Sequence, residues 1–203
     1  GSIDVAVHSL KDLPTRMPEG FAIGAVPERA DARDALVTRE GTPFEALPPG
    51  TAVGTSSLRR MALLVSERRD LSPRNLRGNV DTRLGKVASG ELPAAMLAAA
   101  GLARLGRLPD GVKAVPLPLE RFVPAAAQGA LGIECRAGDA RVLSILSPLN
   151  HQETERTVRT ERLLLARLEV GCHVPLGVHV TVSEGTLSLR AFLNQIADLF
   201  QVQ

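Results

Sequence analysis

The chain has 203 residues, 44% of them hydrophobic and 23% charged, which is enough for one large domain or two to three small ones with proper cores. It has no Trp or Tyr and only five Phe, so it lacks the aromatic platforms on which bases stack, and no nucleic-acid partner is expected. The net charge of +2 conceals a bias, because Lys11, Lys86 and Lys113 are the only lysines and every other basic residue is Arg, whose planar fork matches carboxylate or phosphate.

Two cysteines, Cys135 and Cys172, cannot build a disulfide framework. With no signal peptide or long apolar run, the reading is cytoplasmic, without a membrane. Ile3 to Val7 is rich in β-branched residues, as expected of a strand covered on both faces. It starts abruptly, so a segment before it is expected. It runs into the polar loop His8-Ser9-Leu10-Lys11-Asp12-Leu13-Pro14. In open α/β sheets functional groups gather beyond the carboxyl ends of strands, which puts Lys11 and Asp12 in a position for chemistry. A Lys–Asp pair is equally common in a surface turn.

Phe21 to Val26 reads as a second strand, and Asp31-Ala32-Arg33-Asp34 as a polar link to a third, Ala35 to Val37. Thr51-Ala52-Val53-Gly54-Thr55-Ser56-Ser57 reads as a strand, a Gly turn and a helix cap. Leu58, Met61, Ala62 and Val65 then share one face of a helix to about Arg69. Arg59 and Arg60 fall in its first turn, where the macrodipole disfavours cations by roughly 0.3–1 kcal/mol each, so an anion is expected beside them. The plainer reading is two solvated arginines.

The arrangement recurs. Arg74 to Arg77 is extended, Gly78 breaks it, Asn79 can cap, and Val80, Leu84 and Val87 give a helical face to about Ser89. Arg77 falls at the strand end and Arg83 in the first turns of this helix. Ala94 to Ala98 reads as a buried strand, Ala100 to Leu105 as the start of a helix carrying Arg104, and Val112 to Leu117 as another strand. This alternation indicates a largely parallel sheet over residues 35–117. Residues 58–86 hold eight basic groups against three acidic ones, concentrated at strand ends and helix starts.

Gln128 to Cys135 reads as a strand returning to the sheet of the first 26 residues, with Cys135 a buried small hydrophobe. Crossing segments near 27–34 and 118–127 make two lobes joined by a hinge, and clefts between such lobes bind small molecules. Asn150-His151-Gln152-Glu153 reads as a capping box with Asn150 as the cap. The helix it opens has Val158, Leu165 and Leu168 as its apolar stripe and Glu155, Arg156, Arg159, Glu161 and Arg162 as a solvated face. The loop Glu169 to Pro175 follows, then strands Val178 to Val182 and Leu187 to Phe192 in a hairpin turning at Glu184-Gly185. Cys172 and His173 are too few ligands for a metal site, so no metal is expected, and from composition alone Cys172 is an inert loop cysteine.

Five motifs, taken together, resemble the porphobilinogen deaminase (hydroxymethylbilane synthase) family. They are Val7-His8-Ser9-Leu10-Lys11-Asp12-Leu13-Pro14, Val53-Gly54-Thr55-Ser56-Ser57-Leu58-Arg59-Arg60, Leu76-Arg77-Gly78-Asn79-Val80 with Thr82-Arg83-Leu84, Ala127-Gln128-Gly129-Ala130-Leu131-Gly132, and Leu168-Glu169-Val170-Gly171-Cys172. They stand in the family's order and cover residues 3 to about 192. The resemblance implies an α/β protein with two lobes like type II periplasmic binding proteins and a small α+β C-terminal domain. The expected limits are 1–28 with 127–147, then 33–120, then 149–203.

The same resemblance implies a transferase of tetrapyrrole, porphyrin and heme biosynthesis. It would deaminate four porphobilinogen units and join them head to tail into hydroxymethylbilane on a covalent dipyrromethane primer. Cys172 looks like the attachment point and Asp12 like the catalytic carboxylate. Lys11, Arg59, Arg60, Arg77 and Arg83 look like cofactor-binding groups, and Arg77, Arg83, Arg104 and Gln128 like substrate-binding ones. A monomer is implied. The chain departs from the family pattern by lacking an N-terminal stretch of some tens of residues and by carrying Val170 where Gly is usual. Asn194 to Phe200 also reads as a short helix where a strand is expected. The competing readings are a non-catalytic two-lobed binding protein for a carboxylate ligand, and a basic RNA-binding domain with steep salt dependence, which the missing aromatics disfavour.

Overall fold

In the computed structural model the described residues are 2–168 and 174–194. The elements in chain order are β1 (Val5–Ser9), β2 (Phe21–Ala25), β3 (Asp34–Arg39), β4 (Ala52–Gly54), α1 (Leu58–Glu67), β5 (Ser72–Arg74), α2 (Val80–Ala88), β6 (Ala94–Ala98), α3 (Ala99–Leu105), β7 (Val112–Pro116), β8 (Leu131–Arg136), α4 (Ala140–Leu146), α5 (Gln152–Leu168), β9 (Leu176–Ser183) and β10 (Thr186–Leu193). They group into two compact units. The first holds residues 2–32, 125–168 and 178–191, and the second holds 33–124, 174–177 and 192–194.

The second unit is built on a five-stranded sheet of order β5-β4-β6-β3-β7. Successive residues of a strand face opposite sides, and the sequence uses both sides. Leu36, Val53, Ala94 and Met96 meet Leu63 and Leu64 of α1 together with Phe44 and Phe122. Ala35, Val37, Ala95 and Leu97 meet Leu84 and Val87 of α2 and Leu102 of α3. Four of the five strands, β5, β4, β6 and β7, run the same way, as expected of a largely parallel sheet, and β3 alone is reversed. β4 runs parallel to β5 and β6, but β3 is antiparallel to both β6 and β7. A strand buried on both faces reads as a continuous apolar run in either direction, so the pattern of β3 does not reveal its orientation.

In the first unit β8 lies between β1 and β2, antiparallel to both, so the strand from residue 131 does return to the sheet of the first 26 residues. Ile133 and Cys135 of β8 pack with Ala25 and with Val142 and Leu146 of α4. Leu10, Val26, Ala127 and Ala130 pack with Val158 of α5. Against the expectation of cover on both faces, among the described residues β1 has a strand neighbour only in β8, and Val5 and Val7 are 40% and 62% exposed. The helix α4 was not anticipated, because its stripe of Val142 and Leu146 is barely two turns long; Asp139 caps it by accepting the Val142 N–H at 3.0 Å.

The start of α5 also differs in detail. Asn150 is not the cap: its Oδ1 accepts the Val26 N–H and its Nδ2 donates to Glu155. The ring of His151 takes the capping role one residue later, with Nδ1 accepting from the Thr154 N–H at 3.3 Å. The hairpin of β9 and β10 turns at Glu184 and Gly185, both at positive φ, as a two-residue turn of the favoured hand requires. The expected helix over Asn194–Phe200 lies, beyond Asn194, outside the described residues.

Candidate functional site

The carboxyl end of β1 runs into a single 3-10 turn, Leu10–Asp12. Leu10 is wholly buried and its N–H donates to the Ala130 carbonyl at 3.0 Å, which ties the turn to the residues preceding β8. Lys11 is half-buried and Asp12 is exposed. The turn is held from its other side by Arg162 of α5. Nη1 donates to the carbonyls of Leu10 and Leu13 at 3.0 and 3.2 Å, and Nη2 donates to that of Pro14 at 2.6 Å. Arg162 was read as part of a solvated face, and burial lowers its pKa. Beside the turn, His8 Nε2 lies 2.8 Å from Glu134 Oε2 across the β1–β8 pair.

Gln128, expected as a substrate-binding residue, is completely buried, and its Nε2 donates to the Ala32 carbonyl at 2.8 Å. The turn around it is unusual: Ala127 has φ 60° and Gly129 φ 90°. A Cβ on Gly129 would stand 2.6 Å from the Ala30 carbonyl oxygen, so glycine is needed there for space as well as for conformation. Glu161, wholly buried, secures this turn by accepting the Ala127 N–H at 2.6 Å, while Arg29 Nε donates to the Gln128 carbonyl at 2.9 Å. A cavity of about 950 Å³ in the same unit is lined by Leu10, Phe21, Ile23, Val158, Arg162 and Leu163 among others; Lys11 and Asp12 stand outside its lining.

In the second unit Gly54 ends β4 and Ser57 caps α1, its hydroxyl accepting from the Arg60 N–H. Arg59 and Arg60 are 5% and 6% exposed, so neither is a solvated surface arginine. The anion expected beside them is internal. Asp34, fully buried, takes Nη1 and Nη2 of Arg59 at 2.7 and 3.2 Å and Nε of Arg60 at 2.9 Å. The Val123 carbonyl receives Arg59 Nη1 at 2.8 Å, and the Met96 carbonyl receives Arg60 Nη1 at 3.0 Å. Two guanidiniums against one carboxylate leave one positive charge, and Arg59 Nε is buried with no hydrogen-bond partner among the described residues. Burial lowers the Arg60 pKa, Asp34 opposes that, and the positive charges of Arg59 and Arg83 lower it further.

That electrostatic effect of Arg83 on Arg60 links the second helix start to the first. Asn79 caps α2 by accepting the Thr82 N–H at 2.8 Å, and Arg83 Nε donates to the Gly78 carbonyl at 2.8 Å. Arg77 is exposed and lies in the loop beyond β5, which ends at Arg74, and not in the strand itself. Arg104 is exposed but sits in the last turn of α3, not its first. A cation there is favoured by the helix dipole, so Arg104 needs no ligand to account for it. Cys172 and His173 lie outside the described residues.

Sequence reasoning missed Asp34, Glu161 and Arg162 as organisers of these sites. Asp34 sits 25 residues before Arg59, too far for any local pattern to join them.

Comparison with known proteins agrees with these motifs. The model described as "Porphobilinogen deaminase, dipyromethane cofactor binding domain" matches residues 1–144, and the one described as "Porphobilinogen deaminase, C-terminal domain" matches residues 155–200. The curated Porphobilinogen deaminase of Geobacillus kaustophilus is 51% identical over 193 residues, covering 95% of this chain and 62% of that protein. The one of Syntrophotalea carbinolica is 47% identical over 196 residues, covering 97% of this chain and 62% of that protein. The chain thus spans 62% of the length of these relatives. A solved structure of the probable amino-acid ABC transporter extracellular-binding protein ytmK from Bacillus subtilis is 13% identical, covers 81% of this chain and 71% of its own, and has a TM-score of 0.45, too low to bear on the fold. The cofactor-binding-domain match covers well over half of the residues, so the chain belongs to the porphobilinogen deaminase family.

Proposed function

We propose that this chain is the larger part of a hydroxymethylbilane synthase, which deaminates porphobilinogen and joins four units head to tail. The observation that carries the reading is the turn at Asp12, where an exposed carboxylate stands on backbone fixed at Leu10, Leu13 and Pro14. A fixed, solvent-facing carboxylate suits a reaction in which an aminomethyl pyrrole loses ammonia. The aminomethyl group, already an ammonium near neutral pH, donates a hydrogen bond to the Asp12 carboxylate and leaves as ammonia with the C–N bonding pair, and the same carboxylate stabilises the azafulvenium cation left on the substrate.

The residues of the second unit fit a ligand with several carboxylates. Arg77 is exposed, Arg83 is half-buried at a capped helix start, and the Arg59–Arg60–Asp34 group keeps one positive charge and one unpartnered buried donor. Arg77 and Arg83 hold the acetate and propionate groups of cofactor and substrate, Arg104 assists with substrate, and Gln128, buried and bonded to the Ala32 carbonyl, acts only through the turn it holds. Arg59 and Arg60, both tied to Asp34, add the field of their net charge, and Lys11 orients carboxylates beside Asp12. A dipyrromethane bound through Cys172 supplies the free α-carbon on which the first unit is joined. The C-terminal domain match over 155–200 supports a third domain that carries Cys172. In this reading the enzyme is cytoplasmic and monomeric and has two lobes of the periplasmic-binding-protein type; no helix among the described residues is long and apolar enough to cross a membrane.

The test is the intact mass of the full-length protein, together with ammonia release from porphobilinogen. A dipyrromethane adduct that disappears in Cys172→Ala and persists in Cys135→Ala is expected. A bare-chain mass without ammonia release would leave only a binding protein for a carboxylate ligand.

A further inference from the structure

We propose that Arg162 is the positioning residue for the catalytic carboxylate, fixing the turn from which Asp12 acts through hydrogen bonds to the carbonyls on both sides of it. The inference rests on the reading of Asp12 given above. A guanidinium on a helix surface ordinarily finds water or a carboxylate, and it carries its donors in a rigid planar fork. Here that fork is used on backbone: Nη1 spans Leu10 and Leu13, and Nη2 reaches Pro14. These carbonyls bracket Lys11 and Asp12. The upstream end of the bracket is independently pinned by the buried Leu10 side chain and its N–H bond to Ala130. At the downstream end the Leu13 side chain packs against the same core cluster as Leu10, and Arg162 adds the hydrogen bonds to the Leu13 and Pro14 carbonyls from α5.

The consequence is geometric. The side chain of Asp12 is exposed, so its place is set chiefly by the path of residues 10–14. A neutral apolar side chain at 162 would free the Leu13 and Pro14 carbonyls and let that path relax. A lysine keeps the charge but, as a point donor, cannot span three carbonyls.

The experiment is a double-mutant cycle on the full-length protein bearing its cofactor, using single-turnover ammonia release from porphobilinogen. Arg162→Leu should slow release by about 10- to 100-fold, the scale on which a misplacement of about 1 Å acts. KM should stay within about threefold of wild type, and Arg162→Lys should fall between the two. In the Asp12→Asn background the same substitution should cost nothing further, because the carboxylate it positions is gone. Hydrogen exchange should quicken at the amides of Lys11 and Asp12 in both Arg162 variants, whether or not substrate is present. If Arg162→Leu does not fold, Arg162→Lys is read through the same cycle. An equal loss of rate with and without Asp12, or no loss in either, overturns the proposal and leaves Arg162 a structural brace. A wild-type protein that carries its adduct yet releases no ammonia, or an Asp12→Asn protein as fast as wild type, overturns instead the reading of Asp12 on which it rests.

Discussion

Glu161 grips Arg29 with both carboxylate oxygens, Oε1 to Nη1 at 2.7 Å and Oε2 to Nη2 at 3.1 Å, with the carboxylate wholly shielded from solvent. The same oxygens accept the N–H groups of Ala127 and Val180. Residues far apart in sequence are therefore gathered on one charge. Glu161→Gln keeps the shape but leaves Arg29 a poorly compensated cation, and should destabilise the protein by about 3–5 kcal/mol. Urea unfolding should show a lower midpoint at unchanged slope. An unmoved midpoint would mean that the pair is dispensable.

Asp34→Asn removes the carboxylate between two buried guanidiniums, of which Arg60 is already disfavoured by the charge of Arg83. A loss of similar size, about 3–5 kcal/mol, is expected. Because the defect is excess positive charge, added phosphate should recover part of the lost Tm in this variant and much less in wild type. Equal effects of phosphate on both proteins would contradict the charge assignment.

His179 on β9 should make stability depend on pH. Burial first, and then the positive charge of Arg29, hold its pKa below the ordinary 6.5; Glu161 opposes them and Arg190 adds a smaller depression. The unfolded chain takes up this proton near 6.5 and the folded protein only at lower pH, so in that window the unfolded state binds more protons and stability falls as pH drops. Above 6.5 the group contributes nothing. His179→Gln should flatten the decline in Tm between about pH 7 and pH 5. A decline as steep as that of wild type would assign it to other groups.

Arg77 is exposed and lies just before the capped start of α2. If it holds a ligand carboxylate, Arg77→Leu in the full-length protein should weaken porphobilinogen binding by at least about tenfold, since a charge-assisted hydrogen bond contributes roughly 1.5–3 kcal/mol. Its surface position predicts little change in Tm. Titration with substrate decides: unchanged affinity returns Arg77 to the solvated surface.

Local signals carried most of the fold. Ser57 and Asn79 cap their helices where polar residues precede apolar stripes, and buried strands such as β3 and β6 show as apolar runs. What the sequence could not carry was non-local. The antiparallel setting of β3 depends on β6 and β7, which begin only at Ala94 and Val112, and the fate of Arg59 and Arg60 depends on Asp34 at the start of β3. Helical periodicity puts Arg162 and the wholly buried Glu161 on a solvated face. It could not say that this face meets backbone carbonyls and not water.

The order of strands in the first unit has a consequence for synthesis on the ribosome. Val5 pairs with Cys135 and Ala22 with the same residue from the other side, so among the described strands neither β1 nor β2 meets its partner until β8 leaves the exit tunnel. The second unit, by contrast, draws all five of its strands from the uninterrupted stretch Arg33–Pro124. At roughly 5–20 residues per second these two strands wait on the order of ten seconds for β8, while the later unit can already close. Those strands carry exposed-prone apolar residues at Val5, Val7 and Phe21. This interval is where chaperone binding and aggregation during expression will concentrate, ahead of any defect in the finished fold.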